Sequence, residues 1–268
     1  MAGRRNVALV SVRQLANLPF DHVFVSDDIS DQHYLSTRTK EGGVVFPLLL
    51  GVHDERSSAV ENLSPNFRAF LGDRYEHHYT PEEILGYIYA VLHSPTYRTR
   101  YAEFLRSDFP RVPFPESTED FEALSDLGWA LVQAHLLREL PRRGLATYHG
   151  KGDHTVEAVR YSPADQSIAI NKTQFFKPMP QAVWQFHIGG YQVLDKYLKS
   201  RKGRVLSLDE INHIGAIAIV SPSPSNRGPE STKLIKRPLG SGDKSPATLA
   251  LAGRLSHNCD RDSRRTLW

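Results

Sequence analysis

The stretch from Tyr79 to Pro115 carries the strongest folding signals in the chain, because helix start, apolar periodicity and helix stop agree there. Thr80 is predicted to cap a helix, Pro81 stands at its first position, and Glu83 has the spacing of a capping box. Apolar residues then recur at steps of three and four, so one face of this helix must be buried. These residues are Ile84, Leu85, Ile88, Val91 and Leu92.

A second helix is predicted directly after the first, since Ser94 and Pro95 repeat the start signal. Its arginines are available to project outward, and three prolines within six residues then hold the backbone extended up to Pro115. The buried face is expected to hold Tyr97, Tyr101, Phe104 and Leu105, and the outward set comprises Arg98, Arg100 and Arg106.

The remaining patterns predict a mixed α+β fold with a β-rich N-terminal part, a central helical hairpin and helix, a small strand pair, a C-terminal helical segment and a disordered tail. We divide the chain into a β-rich part at 1–78, a helical and mixed domain at 79–220, and a tail at 221–268. Strands are expected at 7–12, 22–25, 44–50, 156–161 and 168–171, and a third helix between Ser117 and Pro141.

Charge is distributed unevenly along the chain. The whole sequence has 33 Lys and Arg against 30 Asp and Glu, a net charge of +3. Residues 221–268 contain 9 basic and 4 acidic residues, a net charge of +5. Residues 1–220 therefore contain 24 basic and 26 acidic residues, a net charge of −2. Binding of a polyanion by residues 1–220 must therefore depend on local clusters of cations. The tail is rich in Ser, Pro and Gly without periodicity, which predicts disorder.

Cysteine content and hydropathy bound the compartment. The single cysteine, Cys259, excludes an intrachain disulfide and is typical of a reducing environment. The longest apolar run, Val44 to Val52, is about half a bilayer span, and the N-terminus lacks a secretory core. We predict a cytoplasmic protein without a membrane partner.

A second informative stretch runs from Pro180 to Arg204. Pro180 is predicted to open a helix that Gly189 and Gly190 break or kink, and a further helix follows with Tyr191 and Leu194 on its buried face. Clustered cations after it either suit the C-terminal end of the helix dipole or contact phosphates, and the residues alone leave both interpretations open. Five cations fall within nine residues: Lys196, Lys199, Arg201, Lys202 and Arg204.

Motifs for catalysis are missing from the sequence. It contains no glycine-rich nucleotide loop, nucleophile elbow or paired His-Glu metal helix. The stretch Tyr148 to Thr155 combines glycines, a lysine and two histidines, but it lacks the context of a Walker loop and the spacing of metal ligands, so a plain loop is predicted. We assign no catalytic and no metal-binding residue, and whether the chain is an enzyme stays open.

Two long strings resemble the C-terminal specificity domain of single-chain type ISP restriction-modification enzymes. They are YTPEEILGYIYAVLHSPTYRTRYAEFLRSDFPRVPFP and WQFHIGGYQVLDKYLKSRKGR. The N-terminal VSVRQ, FDHVFVSDDISD and VVFPLLL are similar as well, so the resemblance covers about residues 6 to 214. After residues 209–213 the family is expected to continue as an amphipathic helix, whereas this sequence turns rich in Ser, Pro and Arg. We expect a frameshift or gene decay and a lost last helix.

The resemblance implies target recognition without the chemistry. Family members carry a nuclease, a helicase-like translocase and an adenine-N6 methyltransferase ahead of this domain, with S-adenosylmethionine, Mg and ATP as cofactors. None of those motifs occurs here, so no cofactor is expected in this chain. Its implied partners are double-stranded DNA and an upstream methyltransferase or helicase fragment. The alternative is a protein-docking domain that couples those parts without touching DNA.

Under this interpretation cations hold phosphates and set register, while polar side chains read base edges. Candidates for base edges are His187 and Gln192, with buried or capping roles as the alternative. The aromatic residues Tyr87, Tyr97, Tyr101, Trp184 and Tyr191 are expected in the core rather than against bases. Candidates for phosphate contact are Arg98, Arg100, Arg106, Lys199, Arg201, Lys202 and Arg204.

Overall fold

The computed structural model describes residues 6–16, 19–33, 35–36, 41–50, 60–139, 146–188, 191–220 and 249–250. The chain divides into unit 1, Met1–Val132 with Glu230–Trp268, and unit 2, Gln133–Pro229. The boundary predicted at 78/79 falls inside unit 1. Helices and antiparallel sheets occur in both units, which confirms the mixed α+β class. The predicted tail lies outside the described residues except for Leu249–Ala250.

Unit 1 begins with a three-stranded antiparallel sheet in the order β2-β1-β3, which confirms the predicted β-rich start. The central strand is buried along its whole length, because it pairs on both edges and is covered on both faces. Two short strand pairs follow, β4 with β5 and β6 with Leu249–Ala250. The strands are β1 Ala8–Val12, β2 Val23–Ser26, β3 Gly43–Pro47, β4 Leu49–Leu50, β5 Val60–Glu61 and β6 Arg111–Val112.

The helices of unit 1 confirm the predicted start of the central hairpin. Thr80 Oγ1 accepts from the Glu83 backbone N–H at 3.2 Å, and Glu83 Oε2 accepts from the Thr80 N–H at 2.6 Å, which completes the capping box. The helices are α1 Pro65–Tyr75, α2 Pro81–His93, α3 Pro95–Arg100, α4 Ala102–Ser107 and α5 Thr118–His135.

The second predicted helix is interrupted, so its predicted face is partly wrong. Tyr101 leaves helical geometry with φ −109° and ψ 18°, and it separates α3 from α4. Tyr97 before the break and Leu105 after it are buried, but Phe104 is 67% exposed. Neighbouring helix positions lie about 100° apart, so a two-turn helix that buries Leu105 turns Phe104 toward solvent.

Two glycines allow α2 and α5 to touch along their backbones. A Cβ on Gly128 would lie 1.8 Å from the Gly86 carbonyl oxygen, and a Cβ on Gly86 would lie 2.4 Å from the Ser125 carbonyl oxygen. Ser125 Oγ also donates to the Glu83 carbonyl at 2.6 Å. An aromatic cluster packs beside this contact, with Phe121 at ring distances of 4.4 to 6.4 Å from Tyr75, Tyr79, Tyr87 and Phe114.

Unit 2 contains a four-stranded antiparallel sheet in the order β7-β10-β9-β8. The predicted strand pair, 156–161 with 168–171, is present but shorter and shifted, at Arg160–Ser162 and Ser167–Ala169. Two further strands extend the sheet on the side of the second strand. The helix predicted from Pro180 ends at Trp184, and a short hairpin replaces its second half. Unit 2 comprises β7 Thr147–His149, β8 Arg160–Ser162, β9 Ser167–Ala169, β10 Phe175–Lys177, α6 Gln181–Trp184, β11 His187–Ile188, β12 Tyr191–Gln192, α7 Val193–Lys199 and α8 Leu208–Val220.

The core of unit 2 joins its sheet to its last two helices. Ile168 and Phe176 from the sheet lie in one buried cluster with Leu194 and Leu198 of α7 and Ile214 of α8. The expectation that the last helix is lost after His213 is therefore wrong, since α8 continues to Val220 and contributes to the core. The proposed frameshift stays a prediction.

Candidate nucleic-acid interface

The candidate arginines of unit 1 meet different surroundings. Arg98 Nε donates to the Leu92 carbonyl at 2.7 Å, its Nη2 lies 3.3 Å from His93 Nδ1, and its guanidinium lies 5.8 Å from the centre of the Phe20 ring. These contacts tie α3 to the end of α2. Arg98 therefore has a structural role that the sequence did not indicate.

Arg100 and Arg106 are exposed on α3 and α4. Arg100 lies 5.6 Å from the centre of the Tyr101 ring, and the Arg106 side chain has no partner among the residues that the structure describes. Both guanidinium groups can reach a phosphate without giving up an internal hydrogen bond. They remain the candidates for phosphate contact in unit 1.

In unit 2 the candidates for base contact lie opposite each other on the β11–β12 hairpin. Gln192 Nε2 donates to the Trp184 carbonyl, so its amide group is partly occupied in holding the hairpin. His187 is exposed, and its Nδ1 lies 2.5 Å from the Gln185 carbonyl oxygen. Their assignment to base edges stays a prediction.

Tyr191 corrects the expectation of a buried aromatic face. Its side chain is 57% exposed, and the Lys196 ammonium lies 4.9 Å from the centre of its ring. Trp184 is half-buried and stacks on Tyr161 at 5.2 Å, as expected of a core residue. The difference arises because Tyr191 lies on strand β12, where side chains alternate with a period of two instead of 3.6.

Three exposed cations surround the C-terminal end of α7. Lys199 forms an ion pair with Asp195 at 2.8 Å and is 63% exposed, while Arg204 is 62% exposed and lies 3.5 Å from Glu210. Lys202 is exposed and has no side-chain partner within the described part of unit 2. Surface ion pairs of this kind contribute little stability, so these side chains can turn to a phosphate at small cost.

Arg201 is held inside the unit instead. Its Nε donates to Glu210 at 2.8 Å, its Nη1 donates to the Tyr197 carbonyl at 2.9 Å, and its guanidinium lies 3.5 Å from the Tyr197 ring centre. The side chain is 20% exposed. Arg201 therefore connects the end of α7 to the start of α8, and it leaves little of its fork for DNA.

Glu210 organises this region. Its carboxylate accepts from the Ser207 backbone N–H at 3.0 Å, and Ser207 Oγ accepts from the Glu210 N–H at 3.2 Å, which forms a capping box at the start of α8. The backbone N–H of Ser207 and the Arg201 guanidinium lower the pKa of Glu210 below its ordinary value. The ionised carboxylate holds the side chains of Arg201 and Arg204 beside the start of α8.

The loop predicted for Tyr148 to Thr155 is present only from Gly150 onward, because Tyr148 and His149 lie on β7. A buried glutamine fixes this loop. Gln174 Oε1 accepts from the His154 backbone N–H at 2.9 Å and from Asn171 Nδ2 at 2.8 Å. Two backbone hydrogen bonds, Leu206 N to His154 O and Val156 N to Arg204 O, both 2.9 Å, pair the loop with the segment after α7. The loop thus positions the backbone of Arg204.

Metal-ligand clusters and membrane-spanning helices are both absent from the described ranges of the two units. No group of three or more His, Cys, Asp or Glu side chains within them is arranged to hold a metal ion. No helix within them has both the length and the apolar content needed to cross a bilayer.

Comparison with known families decides the kind of module. The family model described as the Type ISP C-terminal specificity domain matches residues 1–220. The chain belongs to this family. All nine candidate residues of the type ISP specificity domain fall inside the matched range. The resemblance found in the two long strings is thereby confirmed.

Three solved structures share the fold of this specificity domain. A cryoEM structure of a DrdV-DNA complex matches with a TM-score of 0.62 and 19% identity over 88% of this chain and 25% of that chain. A second match is a nuclease-deletion mutant of the Type ISP restriction-modification enzyme LlaGI in complex with a DNA substrate mimic. Its TM-score is 0.55 and its sequence identity 17%, over 87% of this chain and 18% of that chain. A third match is the ATP-dependent Type ISP restriction-modification enzyme LlaBIII bound to DNA. Its TM-score is 0.60 and its sequence identity 16%, over 86% of this chain and 16% of that chain.

The specificity domain spans a quarter or less of these three chains. A search of the curated proteins finds no match. The likeness to the three structures therefore establishes the fold of the domain.

Proposed function

We propose that this chain is a DNA target-recognition module of a type ISP restriction-modification system. The observation that carries the proposal is the match of the specificity-domain family to residues 1–220. The three structural neighbours are DNA-bound, which supports double-stranded DNA as the partner. The module works in the cytoplasm and binds without catalysing a reaction itself.

The exposed cations supply the phosphate contacts of the proposal. Lys199, Lys202 and Arg204 in unit 2, and Arg100 and Arg106 in unit 1, can contact phosphates without losing a buried hydrogen bond. Such contacts fix position and register, and they carry no sequence information by themselves. S-adenosylmethionine, Mg and ATP belong to the parent family's other domains, including an upstream methyltransferase or helicase partner.

The salt dependence of duplex binding tests this proposal. The purified full chain is titrated onto fluorescein-labelled random-sequence duplexes between about 50 and 200 mM salt, and affinity is measured by anisotropy. We expect Lys202→Ala and Lys199→Ala each to reduce the log-log slope by about 1, because each variant neutralises one phosphate fewer than the wild type. Lys177→Ala is the matched control, since Lys177 is exposed on β10 outside the cation cluster.

Two results would contradict the proposal. A chain without duplex affinity at low salt that instead associates with a separately expressed upstream fragment would be a docking domain. Transfer of a radiolabelled methyl group from S-adenosylmethionine to DNA by the purified chain alone would make it an enzyme.

A further inference from the structure

Tyr191 is a large aromatic side chain that the fold leaves in water. The other large hydrophobic side chains exposed in the described part of unit 2 are aliphatic, Val205 and Leu208. Burying a tyrosine of this size would normally stabilise a domain, so its exposure leaves apolar surface available to a partner. The position of the ring is therefore the feature to explain.

The backbone under Tyr191 is held in place. Tyr191 pairs with Ile188 across the hairpin, and the Val193 N–H donates to the Phe186 carbonyl at 3.0 Å directly below it. The Gln192 side chain binds the Trp184 carbonyl. The chain then enters α7, whose Leu194 is buried in the core of unit 2. These contacts hold the backbone of Tyr191 in place while its side chain remains exposed.

The charge beside the ring identifies the class of partner. Lys196 lies 4.9 Å from the ring centre, and the exposed Lys199 and Lys202 follow on the same helix and its C-terminal turn. An aromatic side chain next to several cations matches a DNA groove, where base edges with thymine methyl groups lie between phosphates. An apolar protein surface would offer nothing to these lysines.

We propose that the paired strands β11 and β12 enter the major groove and that Tyr191 contacts a base edge there, with Lys196 on the adjoining phosphate. A two-stranded ribbon fits a major groove of about 12 Å width. The ring supplies apolar contact and its hydroxyl a hydrogen bond, so Tyr191 contributes to sequence preference. This inference rests on the proposed function and assigns a specificity residue within it.

Sequencing of bound DNA tests the assignment. The full chain selects from a pool of random-sequence duplexes, and the bound fraction is sequenced for the wild type, Tyr191→Ala, Tyr191→Phe and Phe104→Ala. We expect Tyr191→Ala to lose preference at one or two adjacent positions and to bind the preferred sequence about tenfold more weakly. Its salt slope should stay that of the wild type. Tyr191→Phe keeps the apolar contact of the ring but loses the hydroxyl hydrogen bond, so its preference should lie between those of the wild type and Tyr191→Ala.

Lys196→Ala provides the second arm, with the opposite signature. It should reduce the salt slope by about 1 and leave the preferred sequence unchanged. This arm also serves if Tyr191→Ala does not fold, which thermal unfolding reports. A Lys196→Ala variant with the wild-type slope would overturn the phosphate assignment.

The outcomes separate the two levels of the proposal. A wild-type chain that binds no duplex overturns the proposed function. A wild-type chain that binds with the expected effect of Lys202→Ala, but whose Tyr191→Ala variant keeps the full sequence preference, overturns only the role of Tyr191. Equal loss of preference in Phe104→Ala, an exposed aromatic of unit 1, or a wild type that binds without any preference, also overturns it.

Discussion

Arg98 and Arg100 lie on the same helix, α3, and meet different surroundings. Removal of Arg98 leaves the carbonyl of the buried Leu92 without its 2.7 Å hydrogen bond. We expect Arg98→Ala to lower the free energy of unfolding by about 1–3 kcal/mol, because an unpaired buried acceptor is costly. Arg100→Ala should change it by less than about 0.5 kcal/mol. Urea unfolding of both variants checks this, and equal losses would show that Arg98 is not structural.

Glu210 gives the stability of unit 2 a dependence on pH. Its folded pKa lies below the ordinary value of 4.5, so the unfolded chain takes up the proton first as pH falls. The stabilisation is complete above that value and is lost as pH falls through the folded pKa. Glu210→Gln keeps the cap but loses the charge toward Arg201 and Arg204.

We therefore expect Glu210→Gln to lower the free energy of unfolding by about 1–2 kcal/mol near neutral pH, because its hydrogen bonds no longer have a charged acceptor. The difference from the wild type should shrink toward acid pH. Asp209→Asn removes a charge from the same helical turn without touching either arginine, and it should leave the pH dependence nearly unchanged. A constant difference at all pH values would exclude the linkage.

Local contacts can be predicted from the sequence, whereas the tertiary contacts of these arginines cannot. Thr80 and Glu83 predict the start of α2 correctly, because a capping box is a contact between residues only three positions apart. The roles of Arg98 and Arg201 depend on carbonyls and rings that tertiary packing brings together, and no spacing encodes those partners. Their classification with the outward cations followed from residue type alone.

At the scale of elements, the approach of α2 and α5 depends on Gly128. A methyl group there would meet the Gly86 carbonyl at 1.8 Å, and backbone cannot move aside as a side chain can. We expect Gly128→Ala to cost about 2–3 kcal/mol of stability through overpacking. Thermal unfolding of the full chain measures it.

Gly72 provides the matched control, since it also lies inside a helix, α1, and nothing is within 4 Å of an added Cβ. Gly72→Ala should stabilise the protein by about 0.5–1 kcal/mol, because alanine is the better helix former. The opposite signs separate a packing effect from helix propensity. If both variants gain stability, α2 and α5 do not approach each other as closely at Gly128 as described.

The hairpin before α7 shows a second limit of prediction. Pro180, Val183 and Trp184 indicated a helix correctly, but the pattern was continued with a period of 3.6 past the point where the chain becomes a strand pair. A change of period changes which side chains face outward. A helical period therefore predicts a buried Tyr191, whereas the strand leaves it 57% exposed.

At the scale of the whole molecule, charge and sequence preference should be separable. Residues 1–220 carry a net charge of −2 and residues 221–268 carry +5. If the cations after residue 220 add phosphate contacts, they raise affinity for every duplex alike, because phosphate contacts contain no sequence information.

Neutralising that segment tests the separation. Changing Lys233, Lys236, Arg237, Arg264 and Arg265 to Gln removes its net charge of +5 and leaves the strand Leu249–Ala250 intact. We expect weaker binding to random-sequence duplexes and a flatter salt slope, by about 0.9 for each phosphate that is no longer neutralised, with an unchanged ratio of preferred to random affinity. The same positions exchanged between Lys and Arg keep the charge and should bind as the wild type. A lower ratio of preferred to random affinity in the neutralised variant would show that residues 221–268 contribute to base recognition. Tyr191→Ala should have the opposite signature, with a lower ratio and the salt slope of the wild type.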